Sequence, residues 1–202
     1  MTIGWVTTEQ RTPGLALRRE TAALLVIDWQ ERMAAAIPKE QHEAKLKSAL
    51  ILCKTAARLG LPIVLSEQYP KGLGPTLPAV REVLDPLGDA VRRFEKLTFS
   101  CAPASEMAAA LKATRRSHWI VCGMETHVCV FQTVRDLCDP AHDLIVHVAA
   151  DACLSRRKAD WRIGLDLMRQ AGAIVTCTET VVFDLLVRSG TPEFKDLSRL
   201  VK

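Results

Sequence analysis

The sequence predicts an α/β fold: a three-layer sandwich in which a mostly parallel sheet of about six strands carries helices on both faces. Two observations predict it. Five short apolar runs rich in branched residues recur along the chain, and apolar residues at helical spacing fill the intervals between them. A stretch dense in Pro and Gly after the second run adds a long loop.

The runs are AALLVI (22–27), LPIVL (61–65), HWIVC (118–122), LIVHV (144–148) and AIVTC (173–177). Runs without polar alternation are those of strands buried on both faces. AVRRF (90–94) adds a shorter sixth strand. Leu46, Ala49, Leu50, Cys53, Ala56 and Ala57 define a helix ended by Gly60, and Trp161, Gly164, Leu165, Met168 and Ala171 define another before Gly172. Right-handed crossovers then give a Rossmann-like parallel sheet. EQYPKGLGPTLP (67–78) reads as a loop on the strand-end side. Pro192 opens a last surface helix or a subunit contact over residues 191–202. No repeat or Ser-rich linker divides the chain, so one domain is expected over 1–202, with residues 1–19 as an N-terminal extension.

Composition narrows the function classes. The 27 basic and 23 acidic residues give a net charge of +4 without a long run of either sign, and one Tyr and five Phe offer little for base stacking. A nucleic-acid partner is therefore not expected. Seven cysteines, an odd number lying mostly in apolar segments, suit a reducing compartment better than a disulfide framework. No CxxC pair occurs and His127-x-Cys129 lacks paired zinc spacing, so neither metal nor cofactor is expected. No apolar run approaches the ~20 residues of a membrane span, so no membrane partner is expected either. A cytoplasmic location follows; Arg11, Arg18 and Arg19 among threonines keep a mitochondrial alternative, against Glu9 and Glu20.

Ligands of open α/β sheets bind beyond the carboxyl ends of the strands, and three reactive side chains fall there. Asp28 directly follows the first strand, where an apolar wall raises a carboxylate's basicity; the plainer alternative is a loop or cap aspartate. Cys129 lies in the first turn of the helix that continues VFQTVRDL, where the helix's positive end favours thiolate; the alternative is a core cysteine. Lys96, just past the weak third strand, could reach the same pocket or remain a solvated lysine. Arg156 could face the pocket or a neighbouring subunit, and His127 ranks below Asp28 as a base because residues two apart on a helix diverge.

Together these residues resemble the isochorismatase-like family of cysteine hydrolases. The matching segments are LLVIDWQERM around Asp28, RRFEKLTFSC around Lys96, VCGMETHVCVFQTVRDL around Cys129 and HVAADACLSR after the fifth strand. EQYPKGLG and VTCTETVVFDLLVRSGTPEFKDL are most like the isochorismatase domain-containing proteins, a branch of largely undefined substrates. The resemblance implies a catalytic triad of Asp28, Lys96 and Cys129. It also implies a cis peptide between Met124 and Glu125, which turns the amides of Glu125 and Cys129 toward one oxyanion. The implied reaction cleaves a carbon–nitrogen bond of a small amide, carbamoyl or ureido compound through a thioester. The loop SEQYPKG lacks the histidine of metal-binding nicotinamidases, and Cys129 itself speaks against vinyl-ether hydrolysis. Trp29, which follows the base, and Gln68, Tyr69 and Lys71 in the adjoining loop are candidate substrate contacts, with loop packing as the alternative. Family members commonly form homo-oligomers in which one subunit covers another's pocket. The competing reading is a non-catalytic binding or assembly protein with a redox-sensitive Cys129.

Overall fold

The computed structural model describes residues 14–202, so Glu9, Arg11 and most of the N-terminal extension lie outside the described residues. In chain order, β1 (Ala22–Ile27) leads to α1 (Glu31–Ala35) and α2 (Lys39–Leu59). Next come β2 (Ile63–Gln68), α3 (Pro70–Leu73), α4 (Pro78–Leu84) and β3 (Val91–Lys96). Then follow α5 (Ser105–Thr114), β4 (His118–Met124), a π turn at Thr126–Val130 and α6 (Phe131–Leu137). The chain continues with β5 (Ile145–Leu154), α7 (Lys158–Gln170), β6 (Ile174–Thr176), α8 (Thr178–Leu186) and α9 (Pro192–Leu197).

The six strands form one sheet in the order β3-β2-β1-β4-β5-β6, every adjacent pair parallel. Alternation along β1 divides the core. Leu24 and Val26 join the cluster built with α2, α4 and α8, whereas Leu25 and Ile27 join Met107, Val134 and Leu165 of α5, α6 and α7. This period-two division produces the three layers. Gly60 ends α2 in the left-handed conformation, as its position in the sequence suggests.

The third strand forms in full, and β2 runs on to Gln68 instead of stopping at residue 65. The expected long loop at 67–78 is thereby shortened and carries the single turn α3. β6 is only three residues long. The C-terminal segment folds onto its own chain: Leu197 packs with Ile51, Val182 and Leu186, and Arg58 meets Asp196 at 2.9 Å.

Strand order reverses between β1 and β4, and such a switch point opens a crevice at the strands' carboxyl ends. These two strands approach closely at Gly123, where an added Cβ would stand 2.3 Å from the Ile27 carbonyl oxygen. The ends of β1 and β4 are thus held side by side.

Candidate active site

Asp28 is the first residue beyond β1, with φ at +51° and no exposure to solvent. Its backbone N–H donates to the Ser66 carbonyl of β2, at 3.1 Å. Its carboxylate accepts from the Ser66 hydroxyl at 2.7 Å and from the Lys96 ammonium at 2.6 Å. The parallel register, which pairs Gln68 with Lys96 across β2 and β3, brings all these groups to one end of the sheet.

Lys96 is itself enclosed by acceptors. Besides Asp28 it donates to Gln68 Oε1 at 2.7 Å and to the Phe99 carbonyl at 3.0 Å. Gln68 is in turn fixed by Gln30, whose Oε1 accepts from the Gln68 N–H at 2.8 Å while its Nε2 donates to the Gln68 and Gly74 carbonyls. A buried ion pair is tolerated when such additional hydrogen bonds satisfy it.

Cys129 lies in the π turn between β4 and α6, only 4% exposed. Burial first, and then the neighbouring Asp28 carboxylate, push its thiol up to about 12, against a smaller opposing pull from Lys96. The sequence expectation of a thiolate favoured by the helix end meets an opposing cause here: in this enclosed turn desolvation works against the charged form. The Met124–Glu125 peptide is cis. The Glu125 carboxylate accepts from Arg156 Nε at 3.2 Å and lies 3.5 Å from His127 Nδ1, which also meets the Ser155 hydroxyl at 3.1 Å. Arg156 thus faces the turn that carries Cys129. His127 is turned toward Glu125 and Ser155.

The sequence-derived substrate contacts separate. Trp29 is corrected: its side chain is fully buried in the cluster shared with Leu52 and Met124, with its ring 6.2 Å from that of His42. Cys129 belongs to the cluster on the other face of the sheet, so Trp29 is core. Gln68 is buried and holds Lys96. Tyr69 and Lys71 are exposed and line a cavity of about 300 Å³ with Pro70, Glu95, Lys96 and Leu97. Sequence reasoning assigned no role to Gln30 and Ser66, although both are polar residues set at the ends of apolar strands. Among the described residues, no three His, Cys, Asp or Glu side chains are grouped to hold a metal ion, and no helix is long and apolar enough to cross a membrane.

Fold and site define an open-sheet α/β protein with a buried Asp–Lys–Cys cluster at its strand switch point. The chain belongs to the isochorismatase family: the Isochorismatase domain model matches residues 22–180. It is 35% identical over 182 residues to isochorismatase domain-containing protein 2 of Bos taurus, covering 90% of this chain and 83% of that protein. The structure titled MAR1 ribonuclease from Caenorhabditis elegans superposes with a TM-score of 0.83 at 34% identity, covering 92% of each chain. The YcaC gene product of Escherichia coli, described as an octameric hydrolase of unknown specificity, matches at 0.82 with 21% identity over 94% and 92% of the chains, a likeness of fold.

Proposed function

We propose that the protein is a metal-independent cysteine hydrolase that cleaves a carbon–nitrogen bond of a small amide, carbamoyl or ureido compound. The observation that carries this reading is the pairing of Cys129, kept protonated by burial, with the buried carboxylate of Asp28. A neutral thiol needs a base at the moment of attack, and Asp28 is that base. Lys96 orients the carboxylate through its 2.6 Å contact.

In the first half-reaction, the thiol proton passes to Asp28 as Cys129 Sγ bonds to the carbonyl carbon. The amides of Glu125 and Cys129 stabilise the oxyanion. Asp28 returns the proton to the leaving nitrogen, and ammonia or an amine departs as the C–N bond breaks. Water, deprotonated by Asp28, then adds to the thioester, and the thiol is regenerated as the acid leaves.

Octameric YcaC supports a homo-oligomer for this chain as well. The name ribonuclease attached to the Caenorhabditis structure raises a nucleic-acid substrate. A nucleophile only 4% exposed suits a small molecule instead.

A hydrolysis screen over small amides, carbamoyl compounds, ureides and a short single-stranded RNA, run beside Cys129→Ala, tests the proposal. Ammonia or amine released by the wild type and lost in the variant is expected. Equal release by both proteins sinks the mechanism, and RNA cleavage that requires Cys129 replaces the substrate class.

A further inference from the structure

We infer, resting on the reading above, that Arg156 is a positioning residue for the oxyanion site: it clamps the Glu125 carboxylate and through it steadies the Glu125 N–H. The Glu125 side chain is only 10% exposed, and a carboxylate so far withdrawn from water needs partners. Arg156 supplies two of them, its backbone N–H donating to Oε2 at 3.4 Å and its Nε to Oε1 at 3.2 Å. One residue thus holds both oxygens, from its main chain and from its side chain. The Glu125 carbonyl is fixed as well, accepting from the N–H groups of Val128 and Val130 at 3.1 and 3.2 Å. On the preceding side, Met124 is paired in register with Leu154. With neighbour, carbonyl and side chain all tied, Glu125 has little freedom to turn its N–H away.

The clamp is built from adjacent strand ends. β4 and β5 pair as far as Met124 and Leu154, so Glu125 and Arg156 stand just beyond neighbouring strands. Ser155, buried between Leu154 and Arg156, meets His127 Nδ1 at 3.1 Å, so the segment after β5 grips the turn at two points ahead of Cys129. Charge acts in the same direction. An unpaired carboxylate on the residue that donates to an oxyanion would oppose the negative charge forming there, and the guanidinium offsets it. The rest of the Arg156 side chain is open, 62% exposed, so its terminal nitrogens are accessible to a charged ligand group. A test of positioning therefore requires an uncharged reagent.

Two uncharged reagents separate the oxyanion site from the nucleophile. p-Nitrophenyl acetate acylates through a tetrahedral oxyanion: Cys129 Sγ bonds to the acetyl carbon, the thiol proton passes to Asp28, and p-nitrophenolate leaves as the ester C–O bond breaks. Iodoacetamide alkylates by displacing iodide from a methylene carbon and forms no oxyanion. Release of p-nitrophenolate, less that of Cys129→Ala, is measured on the whole protein, and alkylation at Cys129 is followed by peptide mass spectrometry. Arg156→Met is expected to acylate at least about tenfold more slowly, less than the loss of a whole oxyanion donor, while alkylating at nearly the wild-type rate. Arg156→Lys, which restores a cation, should recover part of the acylation rate. In a Glu125→Gln background Arg156→Met should cost less, as expected of a residue that acts through another. Equal slowing of both reactions makes Arg156 a general prop of the turn, and unchanged acylation removes its role; either result overturns the inference while leaving Cys129 as nucleophile. If neither reagent modifies Cys129, the reading of Cys129 itself fails and this inference falls with it.

Discussion

The Lys96 ammonium stands 2.6 Å from the Asp28 carboxylate, with side-chain exposures of 1% and 0%. Removing one partner from such a pair leaves an uncompensated buried charge. Lys96→Met is therefore expected to cost about 3–5 kcal/mol of stability. Adding Asp28→Asn to that variant should recover a substantial part, because the stranded carboxylate is gone. Urea denaturation of the wild type, both single variants and the double variant gives the coupling directly. Strict additivity around this cycle would show that the pair contributes no mutual stabilisation.

Much of the frame was legible from periodicity. The apolar run at 22–27 and the helix closed by Gly60 required only local patterns, and both stand where the sequence places them. The end of β2 was less legible because Ser66, Glu67 and Gln68 are polar residues in a strand. Ser66 and Gln68 serve the cluster at the sheet's end and Glu67 holds Thr76, tertiary causes that hydropathy does not record. Trp29 misled for a related reason: adjacency to Asp28 says nothing about which face of the sheet a side chain enters. The enclosure of Cys129, 4% exposed, was not legible either, since helix polarity can be read locally whereas burial depends on the whole packing around the π turn.

Five buried thiols make the fold sensitive to alkali, among them Cys122, pushed well above its ordinary value by burial and then by Cys53. Burial pushes Cys53, Cys129 and Cys153 up to about 12 and Cys101 to about 11, from an ordinary value of 9.0. Above pH 9 the unfolded chain has lost these protons while the folded chain keeps them, so stability falls as pH rises. The contribution is full below pH 9 and is lost progressively toward pH 12. Urea midpoints between pH 8 and pH 11 should decline, and Cys53→Ala, which removes one such group, should flatten the slope. An unchanged slope would assign the loss to other groups.

His147 works in the opposite direction. It is buried at the amino end of the sheet, its Nε2 lacks a hydrogen-bond partner, and its ring lies 5.7 Å from that of His118. Burial first, then His118, lowers it to about 4 from 6.5, with a backbone contact at Gly14 opposing. His118 is lowered too, by burial and then by Arg18. The unfolded chain takes up these protons first, so the stabilising contribution present above pH 6.5 is lost as pH falls toward 4. His147→Leu should make the urea midpoint less dependent on pH across this window. A variant that retains the wild-type pH dependence would place the acid sensitivity elsewhere.

The turn that carries Cys129 depends on a close helix approach at Gly164. An added Cβ there would lie 2.9 Å from the Thr126 carbonyl oxygen and 3.0 Å from the backbone nitrogen and Cα of His127. All three contacts are backbone, so α7 and the π turn must move apart to admit a methyl group. Gly164→Ala gains helix propensity within α7, but overpacking of this kind costs about 1–3 kcal/mol and outweighs the gain. The displaced turn also carries Cys129 away from Asp28, which is fixed just beyond β1 by Ser66 and Lys96. The variant should therefore alkylate at Cys129 several-fold more slowly than the wild type with iodoacetamide, even under conditions where both are fully folded by circular dichroism. Wild-type alkylation in a destabilised variant would show that the turn tolerates the shift, and would separate its packing role from the placement of Cys129.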